Sequence, residues 1–174
     1  MIPVLLPLFL LLPFSDRPAC PCAAFEGGSK ITVTLTGGAN AGTYTVSTPK
    51  TTCSKGLTGP ESFGNQYSEK GKGDAEFSSL QLIVDDAAAA GKGTDKFYVK
   101  VAFGKVLVGH KYEINGSSNP MAGAKTGKGS LTLKEASGKK TVTLEGETAD
   151  GVRVKVTLEC FKTLVNRNGT YAEE

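Results

Sequence analysis

Tryptophan is absent from this 174-residue chain, histidine occurs once, at His110, and methionine only twice. Aromatic residues make up 7%, so the core has to be built mainly from aliphatic side chains. Arginine is nearly missing as well: Arg17, Arg153 and Arg167 are the only ones among 20 basic residues. Nucleic-acid interfaces cluster their basic side chains and interleave arginine and aromatics. The lysines here are scattered from Lys30 to Lys162, which reads as a solvated surface with lysine-protected strand edges, and no nucleic-acid partner is expected. No apolar run approaches the roughly 20 residues that a membrane-spanning helix needs. A lone histidine gives hydrolytic chemistry only one candidate base. His110 shares its alternation parity with Tyr112 and Ile114, so it reads as a packed or rim imidazole.

What is present points to strands. Glycine is abundant at 22 residues, with hydrophobic residues at 39% and charged residues at 21%. Many Gly and Thr residues between short apolar runs suggest strands joined by tight turns. Apolar residues alternate with a period of two through most of the chain. Ile31, Val33 and Leu35 fall on one face, and Tyr44 and Val46 continue after a flexible Gly37–Gly42 turn. Phe77–Val84 reads as a further strand. Phe97, Val99, Val101 and Phe103 form another, and Val106–Ile114 the next. Lys55–Glu76 has few apolar residues and reads as a long excursion. Asp85 and Asp86 before four alanines and Gly91 predict one capped helical turn. Leu131 and Leu133, a Ser137-Gly138 turn, then Val142 and Leu144 make a hairpin. The Asp150-Gly151 turn leads into Val152, Val154, Val156, Leu158 and Cys160, all inward. The fold class expected is all-β: an antiparallel β-sandwich or partly closed barrel of about eight strands with one inter-sheet disulfide, spanning residues 25–164, with 165–174 a flexible C-terminal tail.

Met1–Phe14, MIPVLLPLFLLLPF, is uncharged, broken by Pro3, Pro7 and Pro13, and of the length of a signal-peptide apolar region. No Lys or Arg precedes it. Residues 1–24 are therefore read as a signal peptide, cleaved after Ala24 with small Cys22 and Ala24 at the right offsets. The competing reading makes Cys20 a lipid-bearing first residue that attaches the protein to a membrane. Ala19 fits that pattern and Arg17 does not, and Cys22 would be left as an odd thiol. Cleavage after Ala24 leaves Cys53 and Cys160, one even pair. Cys160 sits on an inward face, where an inter-sheet disulfide must lie. Cys20-Pro-Cys22 has the wrong spacing for a zinc site and no second cluster follows, so no metal and no cofactor are expected.

Other motifs read as structure. Gly-Lys-Gly at 71–73, 91–93 and 127–129 lacks the spacing and the following helix of a phosphate loop. Asp74, Glu76, Asp85 and Asp86 match no calcium loop. Glu145 and Glu147 are outward carboxylates with nothing to single them out as a catalytic pair. Asn115-Gly116-Ser117 and Asn168-Gly169-Thr170 are glycosylation sequons, meaningful only in a eukaryotic secretory host.

The opening strand Lys30-Ile31-Thr32-Val33-Thr34-Leu35, the closing strand Val154-Lys155-Val156-Thr157-Leu158-Glu159-Cys160 and the earlier Cys53 resemble the mycobacterial 19-kDa lipoprotein antigen family and similar small exported β-sandwich proteins. The resemblance implies a β-rich cell-envelope domain with a Cys53–Cys160 bridge and no catalysis, some relatives being thought to hold lipid. The expected function is a non-catalytic structural or binding module, a monomer that is secreted or anchored outside the cytoplasm and meets a macromolecular partner at its loops. The alternative is a carrier of a lipid or other small hydrophobic ligand, lined by Phe77, Leu80, Phe97, Val101 and Phe103.

Overall fold

Strict alternation in Ile31, Val33 and Leu35 becomes strand β1 (Ser29–Thr36), with those three side chains buried and the threonines between them facing out. The computed structural model describes residues 28–70, 73–105, 108–119, 122–167 and 169–173. Residues 1–24 and Cys20 lie outside the described residues. β1 pairs antiparallel with β2 (Gly42–Thr48) on one side and β10 (Arg153–Cys160) on the other, placing Ile31 opposite Leu158 and Val33 opposite Val156. β9 (Lys139–Glu147) and β8 (Lys128–Ala136) complete a five-stranded sheet of order β2-β1-β10-β9-β8. The β8–β9 turn needs both central residues in the left-handed region, and Ser137 (φ 52°) and Gly138 (φ 74°) supply them.

The second sheet has seven strands, in the order β12-β11-β3-β4-β5-β6-β7. They are β3 (Cys53–Lys55), β4 (Phe63–Ser68), β5 (Phe77–Val84), β6 (Phe97–Phe103), β7 (Lys111–Asn115), β11 (Thr163–Arg167) and β12 (Thr170–Glu173). The architecture is a two-sheet β-sandwich with no closed barrel, and the described residues form twelve strands.

Four sequence expectations change. The excursion at 55–76 contains β4, a strand inside the sheet with Phe63 and Tyr67 buried. The tail read over 165–174 lies largely in the β11–β12 hairpin, and β11 pairs parallel with β3, so the second sheet is mixed. Of the strand read over Val106–Ile114, residues 106 and 107 lie outside the described residues, β7 begins at Lys111, and His110 is exposed just before it, its carbonyl accepting from Phe103 N (2.9 Å). The Gly37–Gly42 turn is pinned: Asn40 is buried, its N–H donates to the Tyr112 hydroxyl (3.1 Å), its Oδ1 accepts from that hydroxyl (3.0 Å) and its carbonyl accepts from Tyr44 (3.1 Å). Three hydrogen bonds to buried or half-buried rings fix a turn whose composition alone suggests freedom.

Val152, Val154, Val156, Leu158 and Cys160 all face inward and are buried. The Cys53–Cys160 disulfide joins β3 to the end of β10 and so links the two sheets. The sheets pack tightly where Gly129 pairs with Gly146: a Cβ on Gly146 would sit 2.7 Å from Ile114 Cδ1. The free edge of β8 is partly closed, because Thr94 pairs with Leu131 after the short helix α1 (Ala87–Ala90), capped by Asp86 as expected.

Candidate functional site

Of the residues read as candidate sites, only the disulfide pair is brought together as expected. Leu80, Phe97, Val101 and Phe103 are completely buried in one core, and Phe77 packs half-buried against it. Phe77 pairs with Phe103 at one end of the β5–β6 ladder, while Phe97 pairs with Val84 at the other. The five therefore run along the core and do not ring one cavity. Phe103 and Phe77 belong to an aromatic cluster with Tyr44, Tyr67 and Tyr112, with Tyr44 4.7 Å from Phe103 edge to face.

The acidic candidates hold structure. Asp86 accepts from the Ala88 and Ala89 N–H groups, Glu76 accepts from Gly73 N (3.0 Å), and Asp85 accepts from Ser117 Oγ and Ser118 N, both at 2.6 Å. Glu145 pairs with Lys155 at 2.7 Å and Glu147 with Lys128 at 4.0 Å. Among the described residues no three His, Cys, Asp or Glu side chains converge as a metal site. The Asn115 sequon residue is buried, its amide donating to the Ala122 and Ala124 carbonyls at 2.8 Å each.

Two outer faces carry concavities of ligand size. On the first sheet, a trough of about 500 Å³ is lined by Thr34, Thr36, Lys128, Glu145, Glu147, Arg153 and Lys155. Two of its lysines already pair with its two glutamates. Beside it Thr45, Thr32, Thr157, Thr143 and Thr132 form one row across all five strands. Threonine suits a half-buried pleated surface, which accounts for the row.

The second sheet offers a different chemistry. A trough of about 620 Å³ lies over Gln66, Gln81, Ile83 and Tyr98, walled by the 56–59 turn on one side and by Ser117, Asn119 and Ala122 on the other. Among the described residues no lining side chain carries a charge. The Gln66 and Gln81 amides face each other across β4 and β5, and neither side chain has a hydrogen-bond partner among the described residues. Ile83 is 9% exposed although it points away from the core, because Leu57 and Tyr98 crowd the same surface. The Tyr98 hydroxyl donates to Glu113 (3.2 Å). Burial, then the charge and hydrogen bond of Glu113, push its pKa up to about 12, so it stays a neutral phenol.

Both walls are locked from beneath. The buried Ser62 hydroxyl accepts from Thr58 N (2.9 Å) and Gly59 N (3.2 Å) and donates to the Gly59 carbonyl (2.7 Å). Asn115 and Asp85 hold the opposite wall through the bonds given above. Replacing Asn115 by Ala removes the donors to two carbonyls and is expected to cost about 1–3 kcal/mol. Amide hydrogen exchange checks it: the Ser117–Asn119 amides lose protection, while those of β9 and β10 keep theirs.

No strand alternation alone singles out this trough. The available signal is Leu82-Ile83-Val84, three apolar residues in a row where period two demands a polar one. It puts an apolar side chain on the outer face beside Tyr98.

These features define a class: a two-sheet β-sandwich, bridged by one disulfide, with a preorganised neutral trough on one outer face. Compared with protein-family models, curated proteins and solved structures, the chain has no match.

Proposed function

We propose that this protein is an exported, non-catalytic binding module of the bacterial cell envelope that engages its partner through the trough over Gln66, Gln81 and Tyr98. The observation that carries the reading is the Gln66 and Gln81 pair of amides, without a hydrogen-bond partner among the described residues, held between two walls that are each fixed by hydrogen bonds of buried side chains, Ser62 on one side and Asn115 and Ser117 on the other. Walls already fixed lose little entropy on binding, which favours affinity. The trough on the first sheet has its carboxylates already paired with its lysines.

Export rests on two supports. The Cys53–Cys160 disulfide is of the kind that persists in oxidising compartments, and the apolar run Met1–Phe14 has signal-peptide length. The mature chain is expected to begin at Phe25, and intact mass of the natively expressed protein checks this; a diacylated or triacylated Cys20 would instead anchor it to a membrane. The hydrophobic-carrier alternative has less support, because its five lining residues pack against one another in the core.

The binding role is tested by co-sedimenting the full mature protein with washed envelopes of its own host. The Gln66→Ala/Gln81→Ala double variant is expected to sediment about tenfold less, which corresponds to about 1.4 kcal/mol for the two amides together. Equal sedimentation of the two proteins would sink the assignment of the trough.

A further inference from the structure

Beyond the 620 Å³ trough, the same outer face carries a second hollow of about 210 Å³, and the two share Leu57 and Gln66. The second hollow runs past Ser54 to Tyr171, which is 50% exposed on β12. Together they make one elongated groove that crosses the strands from Tyr98 on β6 to Tyr171 on β12. Five interstrand steps at about 4.8 Å give it a length of about 24 Å.

From this geometry, and resting on the binding-module reading above, we infer that the groove binds a neutral polysaccharide chain, lying across the strands between Tyr98 and Tyr171.

Four features select this chemistry. First, among the described residues Lys50 at the far end is the only charged side chain lining either hollow, one cation where a polyanion would need several. Second, each Gln amide offers donors and an acceptor side by side, which matches hydroxyls that both donate and accept. Third, Tyr98, Tyr171, Leu57 and Ile83 supply apolar and aromatic surface along the groove, suited to the C–H faces of sugar rings. A lipid would cover the amides without pairing them, at a cost of about 1–3 kcal/mol for each. Fourth, the groove crosses several strands and joins two hollows, which suits an extended chain more than a compact ligand.

The test uses the full mature protein on an array of neutral oligosaccharides (glucan, mannan, xylan and chitin series), with heparin oligosaccharides and anionic phospholipid vesicles as contrasts. The expected result is binding to at least one neutral series, tighter for longer chains. Titration of the best ligand, followed by NMR, shifts the Gln66 and Gln81 side-chain amides. Affinity falls about tenfold in Tyr98→Ala and severalfold in Tyr171→Ala, while Tyr98→Phe, which keeps the ring and disturbs the fold least, stays close to wild type. Tyr171 is exposed, so its variant reports on the groove with little burden on folding. Absence of binding to every neutral series, preference for the acidic contrasts, or affinity that ignores both tyrosines would each overturn the inference. If envelope sedimentation still depends on Gln66 and Gln81 while no neutral glycan binds or competes, the ligand class is wrong and the binding module stands. If both measurements fail, so does the assignment of the site.

Discussion

Replacing Cys53 and Cys160 together by serine lowers the free energy of unfolding by about 4 kcal/mol. The bridge closes a loop spanning 107 positions, and in the chain-entropy account a loop of that length constrains the unfolded chain by somewhat more than 4 kcal/mol. Both sulfurs lie in the core, with Cys53 fully buried and Cys160 1% exposed, so the substitution also leaves two small polar groups there. The Asn65 amide, which donates to the Thr52 carbonyl (3.2 Å) and sits 3.7 Å from Cys53 Sγ, loses one neighbour but keeps its main acceptor. A domain of this size has about 5–15 kcal/mol in all, so the variant approaches the edge of foldability. Urea denaturation followed by far-ultraviolet circular dichroism measures it, the chain having no Trp to report by fluorescence. The m-value should rise, because an unbridged denatured chain exposes more surface. Reducing the wild type with a thiol should bring its curve close to that of the variant. A loss below about 1 kcal/mol would mean that the sheets hold each other without the bridge.

The legible parts of this fold are those where one face is apolar and the turn residues have a single job. Phe77–Val84 and Phe97–Phe103 match their observed strands end for end, and the Asp150-Gly151 turn leads through inward Val152 to four inward side chains on β10. Strand β4 escaped because its inward position 65 is an asparagine and its neighbour is Gly64, both poor strand formers. Gly64 is required by tertiary structure: a Cβ there would lie 2.1 Å from the Leu82 carbonyl oxygen. The parallel pairing of β11 with β3 joins segments more than a hundred residues apart, and no local pattern encodes which edge a distant strand chooses. The trough is hidden for a related reason. Gln66, Gln81 and Tyr98 each read as an ordinary outward residue, and only register sets them side by side. Even its walls depend on long-range choices, since Asp85 reaches Ser117 across 32 positions of chain.

Truncating Phe103 to alanine is expected to cost about 3–5 kcal/mol. Phe103 is fully buried at the junction of the two sheets, edge-on to Tyr44 of the first sheet at 4.7 Å and to Tyr112 of its own sheet at 5.9 Å. Removing the ring loses its transfer free energy, leaves a cavity among three other rings, and loosens Tyr112, whose hydroxyl holds Asn40 and with it the β1–β2 turn. Phe103→Leu retains most of the volume and should cost only about 1–1.5 kcal/mol. This pair of measurements also weighs the two functional readings against each other. A side chain that lines a ligand cavity has no packing partners on the cavity side, so its truncation would cost the ligand-free protein little and would change its capacity for hydrophobic ligands. A side chain that fills the core costs the full amount whether or not a ligand is present, and adding a fatty acid or phospholipid recovers none of it. Urea midpoints with and without such a ligand separate the cases. The packing of Phe103 among Tyr44, Phe77 and Tyr112 predicts the second, which weighs against the carrier reading and in favour of the proposed binding surface outside the core.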